Sequence, residues 1–158
     1  MCLRLALSAI TFVVAVGPGW AAQKQVRPIG LVILSGTCTK LIVNGKDQTS
    51  ECGNKILNTD YSDSRTGFYF TTNSDLVLTL SGIGDRQVKL DANNVVMPID
   101  MVILGLKEQN DPVTVVGTCK FANPYLGPVL VTCKAEGALG TFEGSFMTDG
   151  SKPNRKVF

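Results

Sequence analysis

The sequence predicts a single all-β domain: an antiparallel β-barrel or β-sandwich of about eight to ten short strands with two disulfide-stapled hairpins. Two pairs of cysteines, Cys38 with Cys52 and Cys119 with Cys133, share one spacing, and a Gly-Thr pair precedes the first cysteine of each. Short apolar runs alternate with turn residues at intervals of roughly 8–12 residues, which is typical of sandwiches and barrels. After residue 21 the apolar side chains show no helical period.

The N-terminal residues 1–21 are predicted to be a secretory signal peptide. Arg4 is basic, residues 5–16 are apolar and uncharged, and Gly19 and Ala21 are small residues at the expected cleavage site. The apolar stretch is shorter than the ~20 residues that span a bilayer, so we expect cleavage rather than anchoring. Residues 22–158 then form one domain, with a loose N-terminal arm at 22–30 and a C-terminal tail at 150–158.

The charges of the chain are nearly balanced, with 15 basic and 13 acidic side chains. No long stretch carries a single sign, and the basic cluster Lys152, Arg155 and Lys156 is expected to be a solvated tail. We therefore expect no nucleic-acid partner and no stable membrane insertion after cleavage. The signal peptide predicts a periplasmic or extracellular location.

Four cysteines remain after cleavage, and an even number in an exported chain indicates two disulfides. Of the three possible pairings we favour Cys38–Cys52 and Cys119–Cys133, because turn residues lie near the middle of each interval. The alternatives are four buried free thiols, or cross-linking of the first hairpin to the second.

Alternation of side chains identifies further strands. Phe68 and Phe70 are expected opposite Leu78 and Leu76, with the turn centred on Asn73. In the second cysteine hairpin one parity is apolar and the other polar, so its disulfide should point inward. The apolar parity comprises Val113, Val115, Cys119, Phe121, Val129, Val131, Cys133 and Ala135.

Two later segments complete the prediction. Residues 95–106 form a longer apolar run, in which β-branched residues and Pro98 favour a bent or edge strand over a helix capped by Asn94. Phe142 and Phe146 share one face of a last strand near residues 141–148.

The chain contains no histidine, which excludes Ser-His-Asp and Cys-His catalysis and histidine-ligated metals. Oxidised cysteines supply no thiolate, and no phosphate-binding glycine motif lies in a strand–helix context. We therefore expect no metal, no cofactor and no enzymatic activity.

Carboxylate chemistry stays open at Asp60, Asp63 and Arg65, between two predicted strands. Two acids across a cleft would support a hydrolase, and oxygen ligands would support calcium. The alternative is a polar turn in which an aspartate accepts a hydrogen bond from the backbone, and we favour it.

Two single residues are further candidates for contact. Asp100 lies in an apolar run, and it could line an interior pocket. The alternatives, which we favour, are an outward-facing strand residue paired with Lys89 or Arg86 on a neighbouring strand, or a residue at the bend after Pro98. Tyr125 lies in a turn, and either forms an exposed contact or folds back to plug the turn.

The motifs CTKLIVNG at residues 38–45, RTGF at 65–68 and NPY at 123–125, with both cysteine pairs, resemble small exported bacterial proteins of unassigned function. The resemblance covers most of the predicted mature chain. It implies an exported β-protein and carries over no catalytic residue.

The sequence therefore predicts an exported, non-enzymatic β-domain that binds a protein, a glycan or a small apolar molecule in the cell envelope. One alternative is a carboxylate-dependent hydrolase. Another is a small outer-membrane β-barrel, suggested by the terminal Phe158.

Overall fold

A computed structural model describes residues 25–106 and 109–158, and the predicted signal peptide lies outside these residues. The described chain contains eleven β-strands in one sheet and no α-helix, with short 3₁₀ turns at Thr49–Glu51 and Gly84–Arg86. The strands are β1 (Pro28–Val43), β2 (Lys46–Asp47), β3 (Cys52–Tyr61), β4 (Arg65–Thr72), β5 (Leu76–Ile83), β6 (Val88–Lys89), β7 (Asn94–Leu106), β8 (Gln109–Ala122), β9 (Leu130–Gly137), β10 (Gly140–Thr148) and β11 (Asn154–Val157).

Eight of these strands form a closed antiparallel barrel. β1, β3, β4, β5, β7, β8, β9 and β10 neighbour one another in chain order, and β10 then pairs with β1. This last pairing runs from Gly36 opposite Thr148 to Ile42 opposite Glu143. The predicted all-β fold is confirmed. Of the two predicted architectures, the structure is the barrel and not the sandwich.

The long strand β1 is shared among several partners. One edge pairs with β3, and the other pairs first with β11 and then with β10. β11 lies within the segment predicted as a tail, and it covers the part of β1 that β10 does not reach. Residues 28–30, predicted as part of the arm, begin β1.

The first cysteine hairpin turns at Asn44 and Gly45, as predicted. Both residues have positive φ, 52° and 73°, which is the geometry of a two-residue hairpin turn. After the short β2, the 3₁₀ turn Thr49–Glu51 interrupts the ladder. Cys38 and Cys52 are disulfide-bonded across this interruption, with Cα atoms 5.9 Å apart.

The second cysteine hairpin has an uninterrupted ladder. Cys119 lies directly opposite Cys133, and their Cα atoms are 4.0 Å apart. Both cysteines are fully buried, with 0% of their surface exposed. The predicted local pairing and the inward orientation are both confirmed.

The β4–β5 hairpin has a register different from the predicted one. Phe68 lies opposite Leu80, and Phe70 lies opposite Leu78. The connection is a three-residue loop whose last residue, Asp75, has a φ of 63°, a geometry that shifts the turn centre by one residue from Asn73. All four apolar side chains still face inward, because the register moves by an even number.

The run after Asn94 is strand β7, as favoured over a helix. Pro98 lies beyond the last residues that pair with β5, where its missing N–H breaks no ladder on that side. Between Ile99 and Met101 the register shifts by one residue, and Asp100 on β7 lies opposite two residues of β8, Val115 and Val116. This is a β-bulge in β8.

The barrel interior differs between its two ends. We call the end with residues 62–64 and 123–129 the upper end, and the end with residues 44–45 and 73–75 the lower end. The lower half is filled by side chains at most 1% exposed: Leu41, Phe70, Leu78 and Phe142. A Cβ atom at Gly144 would lie 2.4–2.7 Å from carbons of the Phe70 ring, so the absent side chain at Gly144 leaves the space that this ring occupies.

Charged side chains bridge the closing seam on the outside. Glu143 on β10 contacts the Nζ atoms of Lys40 on β1 at 2.6 Å and Lys134 on β9 at 3.1 Å. These hydrogen bonds lower the pKa of the Glu143 carboxyl below its ordinary value. The carboxylate therefore stabilises the fold when it is ionised.

Replacing each cysteine pair by alanine distinguishes two contributions of a disulfide to stability: restriction of the unfolded chain and burial of the cysteines in the core. Both disulfides close loops of the same sequence separation, 14 residues, so each should contribute ~3 kcal/mol by restricting the unfolded chain. We expect the Cys119→Ala/Cys133→Ala variant to lose more stability than the Cys38→Ala/Cys52→Ala variant, because Cys119 and Cys133 are fully buried in the core whereas Cys38 and Cys52 are partly buried beside it. Urea denaturation of both variants measures the difference, and equal losses would contradict the inward placement.

Glu143→Gln should change how stability depends on pH. Because the folded-state pKa is lowered from 4.5, the stabilisation is complete above about pH 5 and is lost as the pH falls through the folded-state value. The variant should therefore be less stable than the unchanged protein at neutral pH, and the gap should close as the pH falls through the lowered folded-state pKa of Glu143. Urea midpoints measured at neutral pH and at a series of acidic pH values test this. Glu136→Gln, which removes one acid from β9 without breaking a salt bridge of the described chain, is the control.

Candidate functional site

An apolar pocket occupies the upper half of the barrel. Its volume is about 180 Å³, and it is open towards the upper end. Strands β1, β3, β4, β8 and β9 and the loop at residues 123–129 contribute its lining. The lining residues are Val32, Leu34, Asn58, Phe68, Phe121, Ala122, Pro124, Tyr125, Val129 and Val131.

Two aromatic rings form one wall of this pocket. Phe68 on β4 and Phe121 on β8 meet edge to face, with ring centroids 5.1 Å apart and planes at 64°. Both side chains occupy inward positions of their strands. For Phe121 this orientation was predicted from the alternation of apolar and polar residues along the strand. Edge-to-face pairs hold each other in fixed orientations, so the two rings give this wall of the pocket a defined shape.

Asn58 is the polar side chain of the β-strands that line the pocket. It lies at an inward position of β3, opposite Phe68. Its Nδ2 donates to Thr66 Oγ1 at 3.2 Å and to the Gly67 carbonyl oxygen at 3.1 Å. Since a carbonyl can only accept, these bonds fix which end of the amide carries the nitrogen.

The loop at residues 123–129 forms the upper rim and is fastened at both ends. The Asn123 N–H donates to the Asn93 carbonyl at 3.0 Å, and the Val129 N–H donates to Thr148 Oγ1 at 2.8 Å. At the tip, the Tyr125 N–H donates to Asn123 Oδ1 at 3.0 Å. A short loop held in this way can place a side chain at the pocket entrance.

Tyr125 occupies that entrance. Its side chain lines the pocket, while 53% of the residue's surface is exposed. Tyr125 is therefore both exposed at the loop tip and folded back towards the pocket. Its contact with a partner stays a prediction. Leu126 beside it is 68% exposed, which extends the apolar rim outward.

Asp100 and Arg65, two of the predicted contact residues, form an ion pair. Arg65 Nη1 lies 2.7 Å from Asp100 Oδ1 and 3.3 Å from Ser81 Oγ. The predicted pairing of Asp100 with Lys89 or Arg86 is wrong. Opposite the bulge of β8, the aspartate on β7 reaches across β5 towards β4, and away from β6.

Asp60 and Asp63 lie apart from the pocket, and neither forms a salt bridge with Arg65. Asp63 Oδ1 accepts the Arg65 N–H at 3.1 Å within the β3–β4 turn, which is the polar-turn interpretation. Asp60 lies on β3 in a shallow outer groove with Arg65 and Asp85. Within residues 25–106 and 109–158, no group of three or more cysteine, aspartate or glutamate side chains is placed to hold a metal ion.

A tyrosine pair on β3 and β4 is a feature that the sequence interpretation missed. The hydroxyl groups of Tyr61 and Tyr69 are hydrogen-bonded. Burial, followed by this hydrogen bond, raises the pKa of the Tyr69 phenol, which keeps it neutral. Both rings line a groove on the barrel that also contains Asp75. Asn58 was missed as well, although its position two residues after Ile56, which is fully buried, could have marked it as inward.

Comparison with known proteins gives no match to a family model, to a curated protein or to a solved structure. The two disulfides indicate an oxidising, non-cytoplasmic compartment. In the described part of the chain, no helix is long and apolar enough to cross a membrane.

A double-mutant cycle tests whether the Arg65–Asp100 pair is an ordinary partly exposed ion pair. The side chains are 22% and 45% exposed, so we expect Arg65→Met and Asp100→Asn to show a coupling energy of at most about 1 kcal/mol in urea denaturation. Arg86→Met with Asp100→Asn is the matched control and should show no coupling. Coupling between Arg86 and Asp100, with none at Arg65, would contradict the observed pairing.

Proposed function

We propose that this protein is an exported, non-enzymatic binding protein that holds a small apolar ligand in the upper half of its barrel. The observation that carries the proposal is the contrast between the two halves of the interior. Large, fully buried side chains occupy the lower half, whereas the upper half retains an apolar pocket. A closed barrel of about eight strands has an interior suited to one small ligand.

The size of the pocket supports a compact ligand. Apolar cavities of about 150 Å³ stay dry and bind molecules such as benzene. The pocket of about 180 Å³ is of this order. It is smaller than most sites for drug-sized molecules, which begin at about 300 Å³.

The place of action follows from the N-terminal segment and the disulfides together. Residues 1–21 have the composition of a signal peptide, and the disulfides need an oxidising compartment. We therefore place the mature protein in the periplasm or outside a bacterial cell.

The upper rim supports a second route of binding. Tyr125 and Leu126 are exposed on a loop fastened at both ends, and such a tip suits contact with a protein or glycan of the cell envelope. The pocket is the better supported site, because Tyr125 faces it as well.

The two alternative functions have less support. For a hydrolase, Asp63 and Asp100 are engaged with Arg65, so the carboxylates left for chemistry are those of the shallow outer groove. For an outer-membrane barrel, the outward face would meet lipid, yet it carries the charged row Lys40, Glu143 and Lys134 across three strands.

Toluene is a probe small enough for the pocket. We expect it to bind the protein, purified from an oxidising compartment, with a dissociation constant of about 1 mM or tighter. Amide chemical shifts in ¹⁵N NMR spectra should change at residues 32, 58, 68 and 129. Val129→Trp should abolish these changes, because the larger ring would fill the pocket.

Val116→Trp is the matched control, because Val116 is 82% exposed and does not line the pocket. It should bind toluene as the unchanged protein does. Unaltered binding by Val129→Trp, or no binding by the unchanged protein, would contradict the proposed function.

A further inference from the structure

We propose that the ligand is a neutral, single-ring molecule that carries one O–H or N–H donor, which binds the side-chain oxygen of Asn58. This inference rests on the proposed function and narrows it to a chemical class. Phenols and small heterocycles with a ring N–H have these properties. Three observations lead to it: the free acceptor on Asn58, the absence of charge in the lining, and the aromatic wall.

Asn58 Oδ1 is an acceptor without a partner. The amide nitrogen is occupied by Thr66 and Gly67, and Oδ1 accepts no hydrogen bond from the described residues. Yet no side-chain nitrogen or oxygen of the described chain is both buried and unpaired. Asn58 is only half-buried, so its oxygen retains accessible surface, and the space next to this inward side chain is the pocket.

An acceptor in an apolar pocket selects for a donor. A ligand without one would cover the amide oxygen and leave it unpaired, which is unfavourable. A ligand with an O–H or N–H group would satisfy it, as sites built around one polar group discriminate by that group. The same oxygen would repel a carboxylate or phosphate.

The lining also argues for a neutral ligand. Its residues are apolar apart from Asn58 and Tyr125, and none is acidic or basic. Moving an unpaired charge from water into such surroundings is strongly unfavourable. The ion pair of Arg65 and Asp100 is not part of the lining and offers no counter-charge.

The ring is inferred from the wall and the volume together. Phe68 and Phe121 present an edge-to-face pair at 5.1 Å, against which a third flat ring can pack in the same geometry. A volume of about 180 Å³ accommodates one such ring with a small substituent. A long acyl chain would find the path below blocked, because Phe70 and Phe142 fill the lower half.

The test compares phenol with toluene, two rings of nearly equal size of which only phenol has a donor. Asn58→Leu keeps the branched shape of the side chain and removes the acceptor. We expect the affinity for phenol relative to that for toluene to fall about threefold to tenfold in this variant, the effect of one hydrogen bond. Isothermal titration calorimetry measures all four dissociation constants.

A measurement on the unchanged protein guards against misfolding of the variant. The ¹³Cγ resonance of Asn58 should move downfield when phenol binds and should stay nearly fixed with toluene, because only phenol donates to Oδ1. Benzoate should not bind measurably.

The outcomes separate this inference from the proposed function. In one outcome, toluene binds and Val129→Trp abolishes its binding, but phenol and toluene shift the Asn58 resonance equally and lose affinity equally in Asn58→Leu. This outcome would overturn the inference of a donor on the ligand and would leave the proposed pocket supported. Benzoate binding at the pocket would overturn the neutrality. No Val129-dependent binding of either ring would overturn both proposals.

Discussion

The pairing of β10 with β1 is the constraint on which the rest of the structure depends. Without it the eight strands would form an open sheet with two exposed edges and one face in water. With it the sheet encloses a lumen, and alternate residues of each strand face either the lumen or the solvent. β1 is 16 residues long, and so it can close the barrel through β10 while β11 covers the rest of the same edge. A salt-bridged Glu143 crosses this seam on the outside.

The buried disulfide links this closure to the pocket. Cys119 and Cys133 occupy the inward positions directly below Phe121 and Val131, which line the pocket. A covalent bond at this level fixes the spacing of β8 and β9, and the loop of residues 123–129 continues from these two strands. The rim, the pair Phe121 and Val131, and the disulfide are therefore successive levels of one hairpin. Cys38–Cys52 lies outside this hairpin and bridges the interruption between β2 and β3.

Much of this fold could be predicted from the sequence, because local patterns determine it. The Asn44-Gly45 turn, the parity of β8 and β9 and both disulfide pairs depend on residues close together in the chain. The partner of Asp100 could not be predicted, because it depends on the order of strands β7, β5 and β4 and on the bulge of β8 opposite Asp100. The pocket depends on which side chains meet across the lumen, and no local pattern carries that information. Asn58 could have been noticed as a polar residue in an inward position, but its free oxygen is visible only once Thr66 and Gly67 are in place.

The unfilled upper half is itself an argument for a ligand. A cavity deprives its lining of dispersion contacts and lowers stability in proportion to its volume. The same barrel fills its lower half by setting Phe70 against Gly144, so its architecture permits a filled interior. Near the upper end the chain instead places valines and an asparagine beneath a fastened loop. Since a ligand that binds only the folded state stabilises it, a ring held against Phe68 and Phe121 would restore the contacts that the empty pocket lacks.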